Sequence, residues 1–330
     1  MIRIEGLVKH YGQVHALDGL SLQVESGSIY GFLGPNGAGK TTTMRILSSL
    51  ARADSGRCWI LDQEIGKPGV DVRPLVGIMP EEPAFYTWMT PREYLRDLAA
   101  PLYHLDPGEA RERAEELLTL VGLKEAADRR VGGFSRGMRQ RLGLAQALVH
   151  KPKVLLLDEP VSALDPAGRK EVLDLIENLH GQATVLLSTH ILADVDRVCD
   201  MVGIINKGRL VIQEGRESLL ERYALPLFEI ESANGFGSWI EIAQRLPQVT
   251  NVTVTNSIAR VLVKDVQQAQ KELLSSLVTA GVFVHRFEMV HPSLEDVFLR
   301  LTEPGSPVPG GPVPGTSQGT SAVQTEKGVR

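Results

Sequence analysis

The eight residues Gly34-Pro35-Asn36-Gly37-Ala38-Gly39-Lys40-Thr41 constrain this chain more than any other stretch. They fit the pattern GxxxxGK(S/T), follow the apolar run 29–33 and open a helical run at Lys40, which is the setting the pattern requires. The glycines let backbone N–H groups converge on phosphate oxygens at the positive end of a helix. Lys40 is placed to reach the outer phosphates and the Thr41 hydroxyl to ligate magnesium, with Thr42 next in the same turn. A strand, loop and helix in this order are half of a parallel crossover, so an α/β core with helices on both sheet faces is expected.

The remaining pattern agrees with such a core. Residues 154–157 and 184–187 are continuous apolar runs suited to central parallel strands, and a helix is expected between them over 168–179. Short alternating runs before residue 60 read as strands (Ile4 and Leu7; Leu20, Leu22 and Val24). Between 83 and 149 the period turns helical. There Thr90-Pro91-Arg92-Glu93 reads as a capping box with proline at the first helical position, and Asp106-Pro107-Gly108-Glu109 repeats it. Past Gly215 the expected order is strand 227–232, helix 238–246, strand 249–255, strand 259–264, helix 266–280 and strand 282–289. That βαββαβ order fits a small ferredoxin-like domain with a closing helix at 293–301. From Glu303 onward the chain is rich in Pro, Gly, Ser and Thr, has little to bury and is expected to be disordered. The expected units are thus 1–215, with a helical part at about 84–149, then 216–302 and a tail 303–330.

Composition removes several function classes. A net charge of −5 lacks the basic footprint of a protein that tracks nucleic acid, so no nucleic acid partner is expected. Cys58 and Cys199 sit in no CxxC or Cys/His spacing, which argues against zinc and for a reducing compartment. The first residues lack the order of a signal peptide, and no window reaches the roughly 18 apolar residues of a membrane span. Any membrane role is expected to come through a partner.

A second chemical feature is Asp158-Glu159 at the end of the 154–157 run, where ligands collect in open α/β sheets. Asp158 suits a magnesium shell. Glu159 can hydrogen-bond the water that attacks a γ-phosphate, as base or orienter. A strand ending in solvated acids is the plainer reading, and the phosphate loop upstream weighs against it.

Just ahead of these acids, Phe134-Ser135-Arg136-Gly137-Met138-Arg139-Gln140 resembles the signature sequence of ABC-type ATPases. The resemblance implies a phosphate-loop NTPase: a RecA-like core with an antiparallel β subdomain and a helical insertion. It also implies that Ser135 and Gly137 grip the γ-phosphate of ATP held by a second copy, hence a homodimer. Ser162-Ala163-Leu164-Asp165 resembles the D-loop, and His190 the switch histidine that contacts the γ-phosphate. Tyr11 takes the place of the aromatic that stacks on adenine. Where many relatives carry glutamine this chain has Glu81, which by the resemblance takes the metal- and water-sensing place. Arg136 and Met138 also depart from the commonest signature. These variants, and the ending His291-Pro292-Ser293-Leu294-Glu295-Asp296-Val297-Phe298, are similar to the exporter branch with daunorubicin-type efflux ATPases.

The resemblance therefore implies ATP and Mg2+ as cofactors and integral membrane permease subunits as partners. It implies a place on the cytoplasmic face of the cell membrane. A soluble ATP switch acting on nucleic acid or ribosomes is the competing reading, although such relatives tend to have paired cassettes or long coiled coils. The string Ala84-Phe85-Tyr86-Thr87-Trp88-Met89 leaves two readings open, a helical core or a groove for a membrane subunit.

Overall fold

The computed structural model describes residues 1–162, 164–223, 226–290 and 294, with the side chains of 221–223 outside that description. Chain order begins with strands β1 (Ile2–Tyr11), β2 (Val14–Val24) and β3 (Ile29–Leu33), helix α1 (Lys40–Leu47), and strands β4 (Ser55–Ile60), β5 (Gln63–Glu64) and β6 (Val76–Met79). The helical stretch follows: α2 (Pro91–Glu93), continued by a π turn over Tyr94–Ala99, then α3 (Pro107–Leu120) and α4 (Arg136–Leu148). The core resumes with β7 (Val154–Asp158), α5 (Pro166–Glu177), β8 (Thr184–Thr189), α6 (Leu192–Val198), β9 (Met201–Asn206), β10 (Arg209–Gly215) and α7 (Arg216–Tyr223). The last elements are β11 (Leu227–Ser232), α8 (Trp239–Gln244), β12 (Val249–Thr255), β13 (Ile258–Val263), α9 (Val266–Thr279) and β14 (Val284–Val290).

Three sheets result. An antiparallel sheet has the order β2-β1-β4-β5. The central sheet, β10-β9-β3-β8-β7-β6, is parallel apart from its edge strand β10. Every residue of β3, β7 and β8 is buried, as continuous apolar runs between two covering layers must be. The parallel register brings the C-terminal ends of β3, β7 and β8 side by side.

The third sheet is antiparallel throughout, in the order β12-β13-β11-β14. A βαββαβ chain in that order is the ferredoxin-like arrangement. Its core surrounds the fully buried Trp239, whose Nε1 donates to Ser276 Oγ at 2.8 Å. Leu294 is also buried, and it packs with the cluster that holds α4, β7 and Leu219 of α7, not with the core around Trp239. The expected closing helix lies otherwise outside the described residues, as does the tail.

Both capping boxes form. Thr90 Oγ1 accepts from Glu93 N at 3.2 Å, Glu93 Oε2 accepts from Thr90 N at 2.9 Å, and Asp106 and Glu109 repeat the exchange. The aromatic string divides by residue: Phe85 and Met89 pack on the core, whereas Tyr86 and Trp88 are exposed against each other at 4.8 Å.

Candidate nucleotide site

The loop 34–39 leaves β3 and enters α1 through two left-handed residues, Gly37 (φ 78°) and Gly39 (φ 113°). It rests on a support from β2 and the turn after β9. A β carbon on Gly34 would lie 2.4 Å from Ile205 O, and one on Gly39 would lie 2.6 Å from Ala16 O. Gly208 N donates to Ala38 O at 2.9 Å from the same turn. At Gly37 no heavy atom stands within 4 Å of such a carbon, so only its backbone conformation calls for glycine.

Lys40 is buried, and its ammonium donates to Gly34 O at 2.7 Å and to Pro35 O at 3.4 Å. Glu159 Oε1 stands 4.0 Å away. Burial pulls the Lys40 ammonium below the ordinary lysine range, and the negative charges of Glu159, Asp158 and Glu81 partly offset that. A buried cation at the entry of a helix, beneath a glycine loop, is suited to a polyphosphate.

Asp158 ends β7, and Ser188 Oγ at the end of neighbouring β8 donates to its Oδ1. Glu159 follows with φ 50°, a left-handed conformation that costs a non-glycine residue of order 1–2 kcal/mol. Its N–H donates to Ser188 O at 3.0 Å, which helps hold the turn. The turn aims Glu159 back over the loop. Oε1 meets His190 Nδ1 at 2.9 Å, while Oε2 is buried with no hydrogen-bond partner among the described residues. A buried carboxylate oxygen without a donor fits a water or hydroxyl of a ligand.

These groups line one cleft of about 460 Å³, together with Tyr11, Asn36, Gly37, Ala38, Gly39, Thr41, Thr42 and Glu81. Val14 and Ala16 of β2 complete its wall beside the half-exposed Tyr11. Sequence reasoning missed both, although their alternation on β2 next to Tyr11 was available as a signal. Gly34 and Pro35 face Lys40 through their carbonyls and do not line the cleft.

Ser135, Gly137 and Asp165 are not brought to this cleft. Ser135 caps α4, with Met138 N donating to its Oγ at 3.1 Å, and Asp165 caps α5, accepting from Gly168 N at 3.3 Å. Gln140 of α4, the last residue of the signature-like run and given no role of its own there, donates from Nε2 to Glu81 O at 2.6 Å and so ties the capped helix to the cleft. Arg136 Nη2 lies 3.8 Å from Glu82 Oε1, so one departure from the common signature faces the residue that follows Glu81.

Comparison with known proteins gives the family of the chain. Residues 17–162 match the family described as ABC transporter, and residues 216–302 match the C-terminal domain of ATP-binding proteins like DrrA1-3. The uncharacterized ABC transporter ATP-binding protein YxlF of Bacillus subtilis (strain 168) is 42% identical over 301 residues, 91% of this chain and 99% of its own length. The daunorubicin resistance ATP-binding protein DrrA2 of Streptomyces coeruleorubidus is 36% identical over 313 residues, 91% of this chain and 94% of its own. The bacitracin transport ATP-binding protein BcrA of Bacillus licheniformis is 36% identical over 310 residues, 93% and 98% of the two chains. Among solved structures, an ATP-binding subunit of an ABC transporter is 28% identical, with a TM-score of 0.60 over 68% of this chain and 93% of that one. A dimeric ATP-binding cassette in a post-hydrolysis state with ADP and Pi, 23% identical at a TM-score of 0.60 over 65% and 98% of the chains, shares the fold. This chain belongs to the ABC transporter family, as an ATP-binding and ATP-hydrolysing subunit with a DrrA-like C-terminal domain.

Proposed function

We propose that two copies of this chain close around two ATP molecules and so drive export through separate membrane-spanning permease subunits. The observation that carries this reading is the division of the site. Lys40, Glu159 and His190 share one cleft, while Ser135, Gly137 and Asp165 stand at helix N-termini outside it. A helix N-terminus with a serine cap offers N–H groups to an anion. A second copy, turned to face the first, supplies that end to the γ-phosphate, with Asp165 beside it at the join.

Within each site Tyr11 stacks on the adenine and Lys40 holds the outer phosphates. Thr41, Asp158 and Glu81, which line the same cleft, would hold Mg2+ through one hydroxyl and two carboxylates, all hard oxygen ligands. Mg2+ when bound neutralises charge on the β- and γ-phosphates. Glu159 accepts a hydrogen bond from the attacking water and His190 fixes Glu159, so both sites of a homodimer hydrolyse ATP. Residues 1–215 perform this work, with 84–149 as the helical part, and 216–302 form an accessory unit.

Among the described residues no helix is long and apolar enough to cross a membrane. Attachment to the cytoplasmic face of the membrane therefore runs through the permease, and the exposed pair Tyr86 and Trp88 is its seat. Relatives named for daunorubicin resistance and bacitracin transport favour export. Affinity purification from detergent-solubilised membranes should recover a polytopic membrane protein at fixed stoichiometry. Trp88→Ala with Tyr86→Ala should weaken that recovery by about thirtyfold, the scale of two interfacial aromatic anchors, and leave basal ATPase unchanged. Recovery of RNA without a membrane protein would sink the reading in favour of the soluble switch.

Residues after Thr302 take no part in this scheme, because their composition offers little to bury. Truncation there should leave the ATPase rate and thermal midpoint within error of the full chain. Loss of folding would show that the tail packs.

A further inference from the structure

Asp194 is the most buried carboxylate among the described residues, at 1% exposure, and it does not line the nucleotide cleft. Arg169 Nε donates to its Oδ1 at 2.6 Å, while Oδ2 is buried with no hydrogen-bond partner among the described residues. Burial pushes the Asp194 carboxyl above the usual carboxylate range, against the pull of Arg169, His190 and Arg197. An ion pair whose carboxylate is buried with one oxygen unsatisfied adds little net stability, because desolvation of the carboxylate costs several kcal/mol. The best-attested use of such a pair is to fix register between elements.

The elements concerned begin at the cleft. Arg169 lies four residues beyond Asp165, the cap of α5, and its N–H donates to Asp165 O at 2.8 Å. Asp194 lies four residues beyond His190, in the first turn of α6. The two segments meet twice: His190 Nδ1 touches Glu159 Oε1 at 2.9 Å at one end, and Arg169 meets Asp194 at the other. They thus close a ring, Glu159 through Asp165 to Arg169, across to Asp194, and back through His190 to Glu159. His190 has a half-exposed side chain, so packing alone does not place its ring. A second pair, Arg197 with Asp174, repeats the α5–α6 link. Arg141 with Glu171, at 2.8 Å, joins α5 to α4, whose cap is Ser135.

We propose that Arg169 and Asp194 are a positioning pair that holds α6 in register with α5, so that His190 is delivered to Glu159 only when the Asp165 loop is in place. The proposal rests on the nucleotide-site reading above. It makes the histidine's position answer to the loop that faces the second copy.

The test is a double-mutant cycle in the full chain with Mg-ATP, read by single-turnover hydrolysis. Asp194→Asn should lower the rate about ten- to a hundredfold, the scale of a misplaced catalytic group, with the KM for ATP changed less than about twofold. Arg169→Gln, at a part-exposed side chain, should reproduce this pattern and serves if Asp194→Asn fails to fold. In a His190→Ala background either variant should add less than about a twofold further loss. Equal losses in both backgrounds would assign the pair a merely structural role, and an unchanged rate in the parent chain would also overturn the proposal. A fully active His190→Ala would instead overturn the nucleotide-site reading, and the pair's role with it.

Discussion

Replacing Glu159 by glutamine is expected to lower ATP turnover at least about a hundredfold while ATP binding survives and the protein accumulates as an ATP-bound dimer. The side chain is buried, contributes no ligand to the phosphate loop, and stands 2.9 Å from His190 and 4.0 Å from Lys40. Glutamine keeps the length of the side chain and an acceptor for His190. It removes the charge and the basicity that a carboxylate brings to a water beside the γ-phosphate. Binding should survive because the loop N–H groups and Lys40 are untouched, and removal of one negative charge beside bound phosphates favours the closed dimer. Phosphate release under saturating Mg-ATP measures the first effect and size-exclusion chromatography with ATP the second. Hydrolysis at the parent rate would take the catalytic role from Glu159. Slow hydrolysis without a dimer would leave that role intact and remove the two-copy site.

Much of this site was legible because its chemistry is written in short contiguous runs. The loop 34–41 and the pair Asp158 and Glu159 each announce a backbone geometry, and the parallel register β3-β8-β7 then brings them together. Leu227–Ser232 and Val249–Thr255 begin and end where their alternation says, whereas α5 starts at Pro166, two residues before its apolar period does. Its true start is set by the Asp165 cap and Pro166, a signal of capping chemistry and not of periodicity. The elements α6, β9, β10 and α7 were not foreseen. The β9–β10 hairpin was signalled only by Asn206, Lys207 and Gly208 at its turn, with Lys207 and Gly208 in left-handed conformations. Ion pairs such as Arg169–Asp194 and the Gln140 contact to Glu81 were out of reach for another reason. Their partners lie 25 and 59 residues apart, and a charge or an amide in a helix says nothing by itself about which neighbour it will meet.

The glycines of the phosphate loop are where fold and function are hardest to separate, and two alanine substitutions separate them. Gly39→Ala is expected to destabilise the protein by about 2–5 kcal/mol and to abolish ATP binding. The left-handed conformation accounts for about 1–2 kcal/mol of this and overpacking for about 1–3. At φ 113° the new carbon would stand 2.6 Å from Ala16 O and 2.7 Å from Leu17 Cδ2. Ala16 O belongs to β2, and Gly208 packs closely on the same stretch of chain from the β9–β10 turn, so a backbone oxygen held from two sides cannot give way cheaply. The loop must move instead, and its N–H groups then no longer converge on a phosphate. Gly37→Ala meets open space at φ 78°, so it should cost only the conformational 1–2 kcal/mol, roughly, and leave a folded protein with weakened ATP binding. Urea denaturation and titration with a fluorescent ATP analogue distinguish the two variants. If Gly39→Ala matched Gly37→Ala in both, the support of the loop on β2 would carry no weight, and glycine at 39 would serve the nucleotide alone.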